Sequence, residues 1–183
     1  MPMNIPLKEP RQTALSAETL STRHHPKVLA SVLSHLAVGQ PWKEIDQVQS
    51  LPLDAILYQP WAPNRTRRAM GYFTAGSPFP PISVFAYRMP HPVTQSPSED
   101  LAKDSPYRIF YDVGDGNHRC SAAERCGETH IQAEVSGVVT IDPFEFMLSD
   151  QKLWLQEGRF MRLITEPTAL SMEYLRLWVP EHQ

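Results

Sequence analysis

A short polar segment, DGNHR at residues 115–119, carries residue types from which a phosphate or metal site can be built. Asp115 is a candidate Mg²⁺ ligand or general base, and His118 can shuttle protons or neutralise charge near about pH 7. Arg119 can grip a phosphate with two parallel N–H donors, and Asn117 can cap a helix or hold a ligand oxygen. These residues predict phosphate chemistry, with Asp115, His118 and Arg119 as the candidate catalytic residues.

The segment falls between a predicted strand and a predicted helix. Residues 107–113 alternate as a strand does, and residues 118–126 predict a short helix that Gly127 closes. Gly114 and Gly116 let the backbone turn tightly and let a ligand approach the main chain. A helix N-terminus carries unpaired N–H groups and a partial positive charge, so this turn suits an anion.

A second group of candidate ligands lies in residues 58–81, which predict a long loop. Its basic and aromatic residues are Arg65, Arg67, Arg68, Trp61, Tyr72 and Phe73. Arginines this close repel one another unless an anion or an acidic residue lies near, and basic residues among aromatics can bind phosphate and stack on a base. The candidate phosphate-binding residues are therefore Gly114, Gly116, Asn117, Arg119, Cys120, Ser121, Arg65, Arg67 and Arg68.

The same residues admit a purely structural interpretation. Asp115 and Asn117 would then form a turn and a helix cap, while Arg119 would pair with Glu124 or Asp112. The arginine-bearing segment would be a solvated loop whose aromatic side chains pack on the core.

The composition is that of a globular protein that can bury a core, since 42% of its 183 residues are hydrophobic and 20% are charged. A net charge of −3 argues against a broad nucleic-acid-binding face, and no apolar run approaches the ~18 residues of a membrane span. Cys120 and Cys126 fall on different faces of one predicted helix, so neither a disulfide nor a shared metal is expected. Reduced thiols and the lack of a signal-peptide core predict a cytoplasmic protein.

The remaining pattern predicts an α+β domain with a small mixed sheet and helical extensions at both ends. Three parts are expected: an N-terminal arm and helix at 1–45, a core at 46–141 and a C-terminal helical extension at 142–183. The predicted elements are an arm at 1–20, a helix at 26–38 closed by Gly39, a strand and helical turn at 48–57, a strand at 82–88, an excursion between antiparallel strands at 89–106, and a strand at 131–135. His24, His25 and His35 are expected at the surface or at the edge of the core rather than at a metal site, because no Cys, Asp or Glu joins them at ligand spacing.

The C-terminal part is expected to be helical. Asp142 fits an N-cap, Pro143 a first helical position and Glu145 a capping-box position. Helical spacing then continues through Phe144, Met147, Leu148, Leu153, Trp154, Phe160, Met161 and Leu163. After Pro167 a last helix carries Leu170, Tyr174, Leu175 and Trp178. Its aromatic stripe is expected in the core or in a homodimer interface rather than at a cofactor.

Four collinear blocks, LPLDAI, PPISVF, DGNHRCSAAERCG and IQAEV, resemble the ParB/sulfiredoxin superfamily over roughly residues 48–140. The resemblance implies a nucleotide or phosphoryl group at the N-terminus of the motif helix. Partition proteins of this superfamily hydrolyse CTP and clamp DNA, sulfiredoxins use ATP and a motif cysteine, and a kinase branch phosphorylates serine. Plasmid fertility-inhibition or oncogenic-suppression members are ATPases and DNases that block transfer of competing plasmid DNA or T-DNA.

Departures from the superfamily patterns narrow these expectations. Asn117 stands where sulfiredoxins have their cysteine, the partition motif GERR is absent, and no helix-turn-helix follows. The fertility-inhibition branch therefore fits best and implies an ATPase with DNase activity, ATP and Mg²⁺ as cofactors, Asp115 as metal ligand, and partners that include DNA and a conjugation or type IV secretion component. The alternatives are a serine-like small-molecule kinase and a non-catalytic nucleotide sensor that binds the conjugation machinery.

Overall fold

The computed structural model describes residues 21–92 and 106–182, so the expectations for residues 1–20 and for most of the 89–106 excursion fall outside the described residues. The helices are α1 (Pro26–Leu36), α2 (Pro63–Thr74), α3 (Asn117–Arg125) and α4 (Ala169–Leu175). The strands are β1 (Trp42–Pro52), β2 (Ile56–Leu57), β3 (Ile82–Pro90), β4 (Tyr107–Asp115), β5 (His130–Thr140), β6 (Phe146–Ser149), β7 (Lys152–Glu157) and β8 (Phe160–Thr165). The architecture is α+β, as predicted.

The larger sheet is mixed and has the strand order β1-β5-β3-β4-β2. Its central strand β3 runs antiparallel to β4, with Val84 opposite Val113, and parallel to β5. Helix α3 connects β4 to β5, which places the DGNHR turn at the end of β4. The expected pairing of two antiparallel strands on either side of the excursion is confirmed by the β3–β4 register.

The two faces of this sheet carry two separate hydrophobic clusters. Alternate residues of β3 point to opposite faces, so Ile82, Val84 and Ala86 pack in one cluster with Cys120 and Ala123 of α3. On the other face, Met89 of β3 and Phe110 of β4 join a cluster with residues of α1, α4, β6 and β7, against which Ile164 of β8 packs. Helix α3 can lie close to the sheet because Ala122 and Ala123 are small and fully buried.

The prediction of a loop over residues 58–81 is wrong, because α2 occupies the middle of this segment. Pro63 suits the first helical position, and its fixed φ favours the start of a helix. Thr66 is the single buried residue of α2, so the helix has no apolar stripe that periodicity could reveal.

The helical interpretation of residues 144–163 is also wrong. A 3₁₀ turn at Pro143–Glu145, which the Asp142 side chain caps, leads into an antiparallel sheet of β6, β7 and β8. Asp150 and Gln151 adopt positive φ angles of 52° and 59°, which form the tight β6–β7 turn. The last helix is confirmed as α4, and Tyr174, Leu175 and Trp178 are buried in the core.

The lengths of the helices can be compared with the thickness of a membrane within the described residues. None of the helices in residues 21–92 and 106–182 is long and apolar enough to span a bilayer. Both cysteines are free thiols, as predicted.

Candidate functional site

The turn between β4 and α3 is held against the start of β3. Gly116 has φ = 118° and lies directly before the first residue of α3. A Cβ at this position would lie 2.3 Å from Ile82 Cγ2 and 2.7 Å from Ile82 Cβ. Gly116 is therefore required by backbone conformation and by close packing, and its buried main chain is covered by protein. Gly114, in contrast, is exposed near the end of β4.

Asn117 fixes the turn to the chain that leads into α2. It is the first residue of α3 and is buried, and its Oδ1 accepts a hydrogen bond of 2.9 Å from the backbone N–H of Gln59. The side chain does not cap the helix, because Gly116 occupies that position. Asn117 therefore positions the segment before α2, and its side-chain amide oxygen already accepts a hydrogen bond within the protein.

Arg119 connects α3 to the loop that precedes β3. Its Nη1 donates to the carbonyl oxygens of Pro80 at 2.7 Å and Pro81 at 2.8 Å, and its Nη2 forms a 2.6 Å ion pair with Asp115. Neither Glu124 nor Asp112, the partners expected from the sequence, takes this role. The Asp115 side chain is 83% exposed and that of Arg119 only 16%, so the carboxylate remains open to solvent while the guanidinium is largely committed to the fold.

His118 faces α2 and carries an unsatisfied nitrogen. Its Nδ1 lies 3.2 Å from the hydroxyl of Thr66, and its ring meets Trp61 edge-on with centroids 4.4 Å apart. Its Nε2 is buried and has no hydrogen-bond partner in the described parts of the chain. Burial lowers the pKa of His118, and the positive charge of Arg65 lowers it further. A buried polar atom without a partner costs free energy, so a ligand atom that bonds Nε2 would be stabilised there.

Helices α2 and α3 and the loop before β3 enclose a cavity of about 630 Å³, which we name the α2–α3 cleft. Its polar side is formed by the guanidinium groups of Arg65, Arg68 and Arg119 and by the imidazole of His118. Its other wall includes Tyr72 and Phe79. The cleft thus combines a positively charged side with an aromatic wall.

The arginines of α2 divide between the cleft and solvent. Arg65 lies over the ring of Trp61 at 6.0 Å, and the Arg68 guanidinium lies 5.9 Å from the centre of the Tyr72 ring. Arg67 is exposed and does not line the cleft. Within residues 21–92 and 106–182, none of the α2 arginines forms an ion pair with a carboxylate. The mutual repulsion of Arg65 and Arg68 would therefore be relieved by an anion in the cleft.

Of the nine predicted phosphate ligands, only Arg65, Arg68 and Arg119 line the cleft, and Cys120 and Ser121 are buried on other sides of α3. Cys120 is fully buried in the core, and burial raises the pKa of its thiol to about 12, so it stays protonated and cannot reach a ligand. Ser121 is buried on another side of α3 and borders a different cavity. The helix carries only His118 and Arg119 into the cleft.

Sequence reasoning missed Thr66, which positions His118, and Phe79, which forms part of the aromatic wall. The signal for the α2 side was the spacing of Arg65, Arg68, Ala69 and Tyr72, which share one helical face at i, i+3, i+4 and i+7. That spacing becomes informative only when the segment is recognised as a helix.

Asp115 is the carboxylate of the DGNHR motif itself. In the described ranges, no three His, Cys, Asp or Glu side chains cluster in a way that could hold a metal ion.

Comparison with protein-family models gave no match, and comparison with curated proteins gave none.

Proposed function

We propose that the protein is a nucleotide-dependent enzyme of the ParB/sulfiredoxin type that hydrolyses ATP, with the phosphate groups bound in the α2–α3 cleft. The observation that carries this proposal is the convergence of Arg65 and Arg68 with His118 and Arg119 around one cavity. Thr66 and His118, whose contact joins the two helices, are 52 residues apart in sequence, so the fold itself brings the α2 arginines to this end of α3.

The shape of the cleft suits a nucleotide better than a bare anion. Its volume of about 630 Å³ falls in the range of roughly 300–1,000 Å³ typical of small-molecule sites. Arg65 and Arg68 would bind phosphate oxygens, and Tyr72 or Phe79 would contact the base through its flat face. His118 would donate to or accept from the ligand at Nε2.

The proposed catalytic roles follow from which side chains are exposed and which are bonded within the fold. Asp115 does not line the cleft, but it is exposed and paired with Arg119, which does, so it would orient a water or serve as one Mg²⁺ ligand beside substrate phosphates. Mg²⁺, when bound, would neutralise charge on the transferring phosphoryl group. Arg119 positions the loop before β3, and His118 would be protonated as phosphate charge arrives and would stabilise that charge.

The resemblance of the four sequence blocks extends this proposal to DNase activity and to a role in blocking the transfer of competing plasmid DNA. Arg67 supplies the physical support, because it is exposed next to the cleft and could contact a DNA backbone. A net charge of −3 makes such contact local rather than general. A conjugation or type IV secretion component would be the protein partner.

A non-catalytic nucleotide sensor is the second candidate, and one observation favours it. Asp115 and Arg119 are bonded to each other at 2.6 Å, and Arg119 is also bonded to two backbone carbonyls. If this arrangement persists with nucleotide bound, the cleft would hold phosphate without activating a water. Binding without phosphate release would identify this function.

The test combines calorimetric titration and phosphate release with ATP, CTP and ADP, each with and without Mg²⁺. We expect Arg65→Gln and Arg68→Gln to weaken nucleotide binding by about 10- to 150-fold each, since a charge-assisted contact is worth roughly 1.5–3 kcal/mol. Arg67→Gln, on the same helix but outside the cleft, is the matched control. Equal affinities for all three variants and the wild type would refute the assignment of the site. ADP release that depends on added serine, without matching phosphate release, would instead indicate phosphotransfer.

A further inference from the structure

A second cavity, of about 730 Å³, lies on another side of α3 and is here named the α1–α3 cavity. It is bounded by the N-terminal end of α1, by residues 58–60 and by Ser121, Glu124 and Arg125 of α3. None of its lining residues lines the α2–α3 cleft. It is therefore a separate site on the same helix.

The α1–α3 cavity carries an excess of positive charge. Arg23, Lys27 and Arg125 line it, together with His24 and His25. Its single lining carboxylate, Glu124, is already engaged at both oxygens. One oxygen lies 3.0 Å from Arg23 Nη2, and the other accepts a hydrogen bond from the Tyr58 hydroxyl.

Lys27 and Arg125 are the lysine and arginine of the lining that form no ion pair with Glu124. In the described part of the chain Arg125 forms no ion pair with a carboxylate. Lys27 lies near enough to Asp112, which is outside the cavity lining, to oppose the rise that burial causes in the pKa of that carboxyl. The described lining residues thus include three basic side chains and one carboxylate, although the whole chain carries −3.

Two neutral donors complete the site. Ser121 is only 6% exposed and borders the cavity. At the start of α1, Pro26 has no N–H, and the N–H groups of Val28 and Leu29 bond to the His25 carbonyl. The backbone N–H of Lys27 has no such partner in the described residues, and it points from a helix terminus of partial positive charge.

We propose that the α1–α3 cavity is a second oxyanion site, which binds a phosphate-type group through Arg125, Lys27 and the Ser121 hydroxyl. A buried hydroxyl, a free helix N–H and two cations are the donor types that recognise a tetrahedral dianion. The site is independent of the proposed nucleotide chemistry, because it shares no lining residue with the α2–α3 cleft. Its ligand would be a small phosphorylated molecule or a phosphate of a polynucleotide.

The test is a sulfate titration of the ¹⁵N-labelled full chain, followed by the amide resonances of Lys27 and Ser121, against sodium chloride of equal ionic strength. We expect saturable shifts of both amides, and we expect Arg125→Gln to weaken their affinity for sulfate by about 10-fold or more. Ser121→Ala should weaken it less, since it removes a neutral donor. Arg125 is exposed, so its substitution leaves the fold intact.

Arg65→Gln is the matched control, because it removes a cation from the other cavity and should leave the Lys27 and Ser121 shifts unchanged. The proposal is overturned if sulfate shifts these amides no more than chloride does, or if Arg125→Gln leaves the titration unaltered. Pyrophosphate and a short oligothymidylate identify the source of the anion. Competition by either one for the same amides supports the site and assigns its ligand class.

Discussion

Replacing Gly116 by alanine tests how the motif turn is held, since the substitution adds one methyl group at the most crowded point of the site. The new Cβ would lie 2.3 Å from Ile82 Cγ2 and 3.3 Å from Ile82 Cα, and Ile82 is fully buried. Overpacking of a core typically costs about 1–3 kcal/mol. A side chain at φ = 118° adds about 1–3 kcal/mol of backbone strain.

Together these effects predict a loss of about 2–6 kcal/mol in the free energy of unfolding, a large part of the roughly 5–15 kcal/mol of a typical domain. The assay is equilibrium urea unfolding, with the slope checked for constancy so that the midpoint reports stability. The melting temperature should fall by at least about 4 °C, because each kcal/mol shifts it by roughly 2–4 °C at this chain length.

Gly76→Ala separates strain from clash. Gly76 also has a positive φ, 80°, but an added Cβ would meet no atom within 4 Å. It should therefore cost only about 1–2 kcal/mol. Ile82→Ala removes the nearest clashing atom, so Gly116→Ala should cost less in that background than in the wild type. Equal losses for Gly116→Ala and Gly76→Ala would refute the claim that contact with Ile82 fixes the turn.

Three further predictions concern the neighbouring residues. Asn117→Ala removes a buried acceptor that holds the Gln59 backbone N–H and should lower the free energy of unfolding by about 0.5–1.5 kcal/mol in urea; an unchanged midpoint would contradict this role. Burial and Arg65 lower the pKa of His118, so the unfolded chain binds this proton first, and stability should fall as the pH drops through about 6.5. The difference in melting temperature between wild type and His118→Gln, followed from pH ~8 to ~5, should show that loss. Finally, an aromatic disulfide reagent should react quickly with Cys126 and with Cys120 only on unfolding, because burial raises the pKa of the Cys120 thiol to about 12.

The central strand–turn–helix was predictable because local sequence determines it. Alternating residues define β4, the small residues after the turn let α3 approach the sheet, and Gly127 ends the helix with φ = 83°. The hydrogen bonds of Asn117 and Arg119 were not predictable. Their partners are a backbone N–H and backbone carbonyls, which have no sequence signature.

Two errors had different physical origins. Helix α2 was missed because only Thr66 is buried, so its stability comes from Pro63 and from packing on α3 rather than from an apolar stripe. Strands β6–β8 were mistaken for helices because Leu148, Leu153 and neighbouring apolar residues also satisfy helical spacing. The turn at Asp150 and Gln151 lacks the glycine that usually marks a two-residue hairpin loop, so the strand boundary was hidden.

The hydrogen bonds that hold the cleft have a kinetic consequence. Asn117 and Gln59 are 58 residues apart, and Arg119 and Pro80 are 39 apart, so both closures require long loops to form first. We therefore expect the cleft to assemble after the local helices and turns, so that partly folded chains lack it. A ligand of the cleft would select fully folded molecules, and its binding signal should appear with the slowest refolding phase rather than with the formation of helices.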